Sequence, residues 1–236
     1  MADGRYHPAF RPRRYFRTKV RGVLAVVESL LKTKAYEIRW HGRGGQGTIT
    51  AAKIAAQAAY LEGYRGVTVA PAFGAERRGT PVSASARIAP EPVLVMCQIE
   101  KPDVVVVLDH TLLKYEEVLS GLGEDGWLIV NSALPPQELN LKDNFNIATA
   151  DATAVCQELG LVVAGLTVVD TAILGAFVRA TSAVSLTSIE KVIEERFSGT
   201  TLEANLTAVR RTYEIAKVWE RGEERFGHQK LSAYLQ

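Results

Sequence analysis

The sequence predicts an α/β domain: a mixed, mainly parallel sheet up to Ala150, then a helical C-terminal part. Three observations carry this. Near the start, a short alternating strand runs through closely spaced glycines into an alanine-rich helix. In the middle lie apolar runs bounded by turn residues, as strands buried on both faces require. Beyond Asp151 the apolar positions fall at helical spacing, behind capping signals. With 236 residues and 47% hydrophobic content, the chain can bury one full core, and a single domain is the simplest division.

Residues 1–35 read as a basic extension. Residues 1–34 hold nine Lys and Arg against Asp3 and Glu28, a balance of +7, so the rest carries −5 to reach the net +2 of the chain. Residues 20–31 have the spacing of a short amphipathic helix. A basic arm on an acidic body admits nucleic acid or an acidic protein partner. No nucleic-acid motif accompanies the charge, so docking to a partner subunit is the preferred reading.

The first βα unit follows. Tyr36, Ile38 and Trp40 alternate with Glu37, Arg39 and His41, which predicts a strand. It leads into Gly42-Arg43-Gly44-Gly45-Gln46-Gly47 and a helix former from Thr48 to Ala59. Gly42, Gly44 and Gly47 stand at G-x-G-x-x-G spacing between strand and helix. Such a turn aims free backbone N–H groups, at the positive end of a helix dipole, at whatever lies above it. Close packing of strand on helix would demand glycines too. A nicotinamide site is disfavoured, because the next strand ends in Ala70-Pro71 rather than in the acid that would hold a ribose.

A dense loop comes next, Pro71-Ala72-Phe73-Gly74-Ala75-Glu76-Arg77-Arg78-Gly79-Thr80-Pro81, whose prolines and glycines exclude a regular element. Its arginines suit a fixed anion clamp, although Arg43 could instead pair with Glu76 and tie the two motifs together. Val82, Ala84, Ala86 and Ile88 predict a half-exposed strand, antiparallel to its neighbour, and 93–99 a second strand joined to it as a hairpin. Residues 102–109 form the clearest buried strand, which delivers Asp109 at its carboxyl end. Asp109 serves either a site or the N-cap of a helix over 111–119. Strands are expected at 126–131 and 144–150, and helices at 152–159, at 168–179, from 187 to 197, and from 200 through Trp219, before a tail over 221–236.

Several classes are excluded. No apolar run reaches membrane-spanning length and no segment resembles a cleavable signal, which leads to an expectation of cytoplasm. Cys97 and Cys156 form no C-x-x-C pair, so this chain alone builds neither an iron–sulfur cluster nor a structural zinc site. Both are expected to be buried thiols. None of His7, His41, His110 and His228 stands in a metal-ligand or triad spacing. No catalytic residue is assigned.

Arg43-Gly44-Gly45-Gln46-Gly47, then the 71–82 loop, then Pro102-Asp103 through Asp109, resemble the gamma subunit of 2-oxoacid:ferredoxin oxidoreductases, in its pyruvate-type branch. The likeness runs from about Tyr36 to Ala216 and sets the boundaries of a gamma-type domain at 36–220. It implies a three-layer domain lying on thiamine-diphosphate subunits, with alpha, beta and delta-type subunits as partners. The complex would oxidise a 2-oxoacid to an acyl-CoA and pass electrons to ferredoxin. Thiamine diphosphate, magnesium and iron–sulfur clusters would sit in the partners. Coenzyme A would occupy a shared site drawing on Arg43, Gly44, Gly45, Gln46, Gly47, Phe73, Gly74, Glu76, Arg77, Arg78 and Gly79. Asp170 takes a place where the resemblance leads one to expect Asn. A free Rossmann-type dehydrogenase is the alternative.

The charge of the arm generates the first test. Deleting residues 1–34 should leave the core folded and weaken association with partner subunits, chiefly at low salt where charge attraction is least screened. Sedimentation of the complex across a salt series measures this. Equal association of both forms at every salt concentration removes the docking role.

Overall fold

The computed structural model describes residues 35–72, 78–94, 97–141 and 145–221. Their frame is a seven-stranded mixed sheet in the order β2-β3-β1-β4-β5-β6-β9. β1 is Tyr36–Arg43, β2 Gly66–Pro71, β3 Pro81–Ala89, β4 Val104–Val107, β5 Trp127–Asn131, β6 Asn146–Ala150 and β9 Lys217–Trp219. β1, β4, β5 and β6 pair in parallel, and antiparallel pairings close both sides through β3–β1, β2–β3 and β6–β9. Five of the seven strands therefore point one way. β4 is four valines buried on both faces, as a strand inside a covered parallel centre must be.

Helices cover one face of the sheet. α1 (Thr48–Leu61), α3 (Ala152–Glu158), α4 (Ala172–Thr181), α5 (Leu186–Arg196) and α6 (Gly199–Ile215) close over Ile38, Trp40, Ala84, Ala86, Val104 and Ile129. Alanines 51, 52, 55, 58 and 59 of α1 are at most 1% exposed; their short side chains let this helix lie close to the strands. Trp40 and Phe177 meet at a ring-centroid distance of 5.4 Å, joining the sheet to α4. Such a tilted aromatic pair contributes about 0.5–1.5 kcal/mol beyond its burial.

The third layer is thin. A 3₁₀ turn at His110–Lys114, the short α2 (Glu116–Leu119) and the 3₁₀ turn Pro136–Glu138 flank a second apolar cluster. It includes Val105, Val107, Leu128, Val130 and Ile147 with Leu112, Val118 and Trp219. Over β1 and β3 the same face turns polar, with Glu37 paired to Arg87 at 2.8 Å.

Several elements differ from the sequence expectations. Among the described residues no strand forms within 93–99, because both edges of β3 are already paired, to β2 and to β1. β3 is buried from Ala84 to Ala89 rather than half-exposed, and Arg87 on its outer face is bonded to Glu37 and to the Cys97 carbonyl. The helix expected over 111–119 breaks into the 3₁₀ turn and α2. The helix expected over 168–179 starts at Ala172, leaving Val168 and Val169 irregular and Asp170 and Thr171 as a turn into it. Residues 217–219 leave the last helix and pair with β6 as β9. α5 and α6 start at Leu186 and Gly199, after Ser185 and Ser198 as N-caps, one residue before the expected starts at 187 and 200. Cys156 is buried as expected, but Cys97 is exposed, since its segment joins no element. Residues 1–34 and 222–236 lie outside the described residues, and so does any test of the arm and tail.

α4 packs so closely on α6 that a Cβ at Gly175 would run into the carbonyl of Val209 and the Thr212 hydroxyl, and would lie 2.5 Å from the Tyr213 nitrogen. Helix propensity alone would make Gly175→Ala stabilising by about 1 kcal/mol. The contact with backbone reverses the sign, with a net loss of about 1–3 kcal/mol expected from overpacking. Urea unfolding decides between the two, and a stabilised variant would refute the close approach.

Candidate functional site

The site is built where β1 hands over to α1. Gly45 and Gly47 take φ values of +97° and +84°, the left-handed region in which a side chain is strained. The turn between them is closed from both ends: Gln46 N–H donates to Arg43 O at 3.0 Å, and Arg43 N–H donates to Gln46 Oε1 at 2.8 Å. Gly42, under the turn, meets a different demand, since a Cβ there would strike the Thr48 hydroxyl. The demand for positive φ and the demand for close packing thus fall on different glycines.

Two distant segments are fastened to this turn. Gly44 N–H donates to Thr80 O at 2.9 Å and Gly79 N–H returns a bond to Gly44 O at 3.0 Å, so the end of the 71–81 loop runs beside the glycines. Val169 N–H donates to Gln46 O at 3.3 Å, bringing in the approach to α4. Just before it, the hairpin of β7 (Val162–Val163) and β8 (Leu166–Thr167) leans on the turn. A Cβ on Gly45 would lie 2.5 Å from Leu166.

These pieces enclose a cavity of about 330 Å³, lined by Gly44, Gly45 and Gly47, by Thr48, Ile49 and Thr50 of the first turn of α1, and by Arg43, Val82, Val168 and Asp170. α1 begins on Gly47 with no side-chain cap. Its first-turn N–H groups have no partner within the helix, and the helix dipole adds positive potential there. Such a mouth takes an anion or a hydrogen-bond acceptor.

The charged groups at its rim are already engaged. Arg43 Nε donates to Asp109 Oδ2 at 2.6 Å, Nη1 to Gly79 O at 3.0 Å and Nη2 to Thr111 Oγ1 at 2.8 Å. Its fork therefore staples three segments together. Asp109 also caps the 3₁₀ turn through Thr111 N–H and hydroxyl. Burial would raise its pKa, but the bonds from Thr111 and Arg43 outweigh burial and hold the carboxyl below the ordinary range. Arg78 is exposed, with Nη1 bonded to Ala164 O at the hairpin tip at 3.2 Å. Phe73, Gly74, Glu76 and Arg77 lie outside the described residues, and the alternative Arg43–Glu76 pairing lies there with Glu76.

Asp170 stood outside the candidate set. It is 6% exposed and burial pushes its pKa up to about 6, against bonds from Thr171 and its own N–H and the charge of Arg196. No local pattern marks Asp170, Thr50 or Val168 as site residues; a backbone bond between segments far apart in sequence puts them there. His41, on the polar face of β1, is held neutral with its pKa lowered to about 4 by burial and then by Arg39. Among the described residues no three His, Cys, Asp or Glu converge as a metal site requires, and no helix is long and apolar enough to cross a membrane.

Comparison with known proteins gives a consistent picture. The family model described as pyruvate ferredoxin/flavodoxin oxidoreductase matches residues 37–215. The chain is similar to the pyruvate/ketoisovalerate oxidoreductases common subunit gamma of Pyrococcus furiosus, 46% identical over 187 residues that cover 78% of this chain and 98% of that one. It is similar to pyruvate synthase subunit PorC of Methanothermobacter marburgensis, 44% identical over 181 residues, 77% of this chain and 97% of that one. The crystal structure of pyruvate oxidoreductase subunit PORC from Thermotoga maritima matches with a TM-score of 0.69 and 39% identity, over 79% of this chain and 99% of that one.

The staple around Asp109 yields a test with a defined sign. Asp109→Asn removes a charge-assisted bond and should cost about 1–3 kcal/mol at pH 7. Because the folded pKa is depressed, this contribution is present above the unfolded value of 3.8 and is lost as pH falls through the folded one. The gap in urea-unfolding free energy between wild type and variant should therefore close on acidification. A gap of the same size at pH 3 and pH 7 contradicts this.

Proposed function

The chain belongs to the pyruvate ferredoxin/flavodoxin oxidoreductase family as a gamma-type subunit, and from that premise we propose that its glycine-loop cavity receives a phosphate of coenzyme A. The observation that carries this reading is the uncapped start of α1, which opens beside Gly44, Gly45 and Gly47 into a cavity of about 330 Å³. Coenzyme A presents phosphates at its nucleotide end, and fixed N–H donors bind them without acid or base chemistry. The donor set fits the group; the single misfit is the Asp170 carboxylate.

In this reading the chain acts inside a complex with alpha, beta and delta-type subunits and packs against those that carry thiamine diphosphate and magnesium. Thiamine diphosphate, when bound there, supplies the carbanion chemistry of oxidative decarboxylation. Iron–sulfur clusters in the partners take the electrons on to ferredoxin. This chain positions one end of the acyl acceptor and supplies no reacting group. Arg43 holds the turn, and Arg78 fixes the hairpin whose Leu166 lies against Gly45. The basic segment 1–35 extends the docking surface, and the complex works in the cytoplasm.

A free Rossmann-type dehydrogenase is not favoured. In that arrangement the second strand lies parallel beside the first and ends in an acid. Here β1 lies between β3 and β4, while β2 sits at the sheet edge and ends in Ala70-Pro71.

Arg78→Ala is an ambiguous test, since it also releases the hairpin. Thr50→Glu is cleaner. Position 50 lines the cavity and is the third residue of α1, where a Glu favours the helix. Stability should hold or rise, while the KM for coenzyme A increases about tenfold or more, the effect of one like charge nearby worth about 1.4 kcal/mol. The KM for the oxoacid should not move. Unchanged coenzyme A kinetics in an intact complex would sink the proposal.

A further inference from the structure

Asp170 is the one feature of the cavity that the phosphate reading does not absorb. The bond from Val169 N–H to Gln46 O sets the carboxylate against the glycine turn, where a Cβ on Gly47 would lie 2.6 Å from Oδ2. Oδ1 accepts from Thr171 N–H at 2.8 Å. Among the described residues, the charges that reach it come from other elements. Arg196 on α5 draws its pKa down, and the buried Cys156 on α3 feels Asp170 as a charge that pushes its own thiol up. Arg43 lines the same cavity but is bonded to Asp109, Gly79 and Thr111. Thr48, which also lines the cavity, is 3% exposed, and its hydroxyl is buried without a hydrogen-bond partner. A buried carboxylate thus faces the positive end of α1, in the space a phosphate would enter.

We propose that Asp170 is the specificity-determining residue of this cavity, and that a phosphate group settles on the glycine turn together with one proton taken up by Asp170. The inference rests on the phosphate reading of the site. Two negative charges cannot share a mouth this size without a large penalty, and protonation of the buried member relieves it. The proton comes from solvent, and the protonated carboxyl gains an O–H that can donate to a phosphate oxygen. With the carboxyl of the free protein titrating at about 6, a neighbouring phosphate moves that value higher. Protons are then taken up on binding, and affinity falls as pH rises through 6. Below that range Asp170 is protonated in both states and the dependence vanishes.

Calorimetric titration of the purified complex with coenzyme A tests this. Runs at pH 5.5, 6.5 and 7.5, in buffers of different ionisation enthalpy, count the protons exchanged in wild type and in Asp170→Asn. The ligand's own phosphate ionisation is common to both and cancels in the comparison. Wild type should take up more protons than the variant, by about half a proton at pH 6.5 and by less at pH 7.5. The variant should bind about tenfold tighter there, the counterpart of about one unit of pKa shift, and equally at pH 5.5. Asp170→Ser, which also lacks the charge, repeats the comparison should the Asn variant fail to assemble. Equal proton uptake and parallel pH profiles overturn the proposal and leave the phosphate site standing. Weaker binding by both neutral variants at pH 7.5 also overturns it, since the carboxylate would then be accepting a bond from the ligand. If Thr50→Glu leaves coenzyme A binding untouched, the site reading itself has failed, and this inference with it.

Discussion

The turn from β1 into α1 constrains everything else in this structure. The chain must leave the sheet and enter a helix while its carbonyls and N–H groups remain available to other segments. Only left-handed conformations at Gly45 and Gly47 allow that. From this turn the remaining geometry follows. Gly44 exchanges backbone bonds with Gly79 and Thr80, Gln46 accepts from Val169, and Arg43 reaches Asp109 and Thr111. Three segments that share no local sequence logic are thereby held around one cavity.

The electrostatics of that cavity are nearly self-cancelling. The helix start contributes positive potential without a side chain, and Arg43 gives its charge to a neighbouring carboxylate. Asp170 opposes both, at a cost that its raised pKa expresses. On the reading proposed above, such a site would discriminate by backbone geometry and by a single ionisation. It suits a subunit that holds one end of a substrate while others do the chemistry.

The two faces of the sheet divide the remaining work. On one, α1 and α4 press small residues and Gly175 against their neighbours, giving a rigid slab behind the turn. On the other, the apolar cover extends only across β4, β5, β6 and β9, and β1 and β3 present Arg39, His41, Ser83 and Ser85. Arg39 donates to the carbonyls of Val118 and Ser120, fastening the thin layer at its edge.

Local chemistry settled much of this in advance. Alternation at Tyr36–Arg43, the glycine spacing, the alanine-rich helix and the valines of β4 are readable because each depends on near neighbours and on burial alone. The motifs at 43–47, 71–82 and 102–109 likewise carried the family. What the sequence could not determine was pairing and proximity. The segment 93–99 has the composition of a strand but finds no free edge, and residues 217–219 look like the end of a helix until β6 offers them a partner. Asp109 could have been a cap or a site acid; the position of Arg43 made it a cap and a staple together. Asp170 became a site residue solely because a backbone bond from Val169 lays it against Gly47. Short-range preferences are written in the chain, whereas a charge acquires its meaning from the groups that tertiary structure places around it.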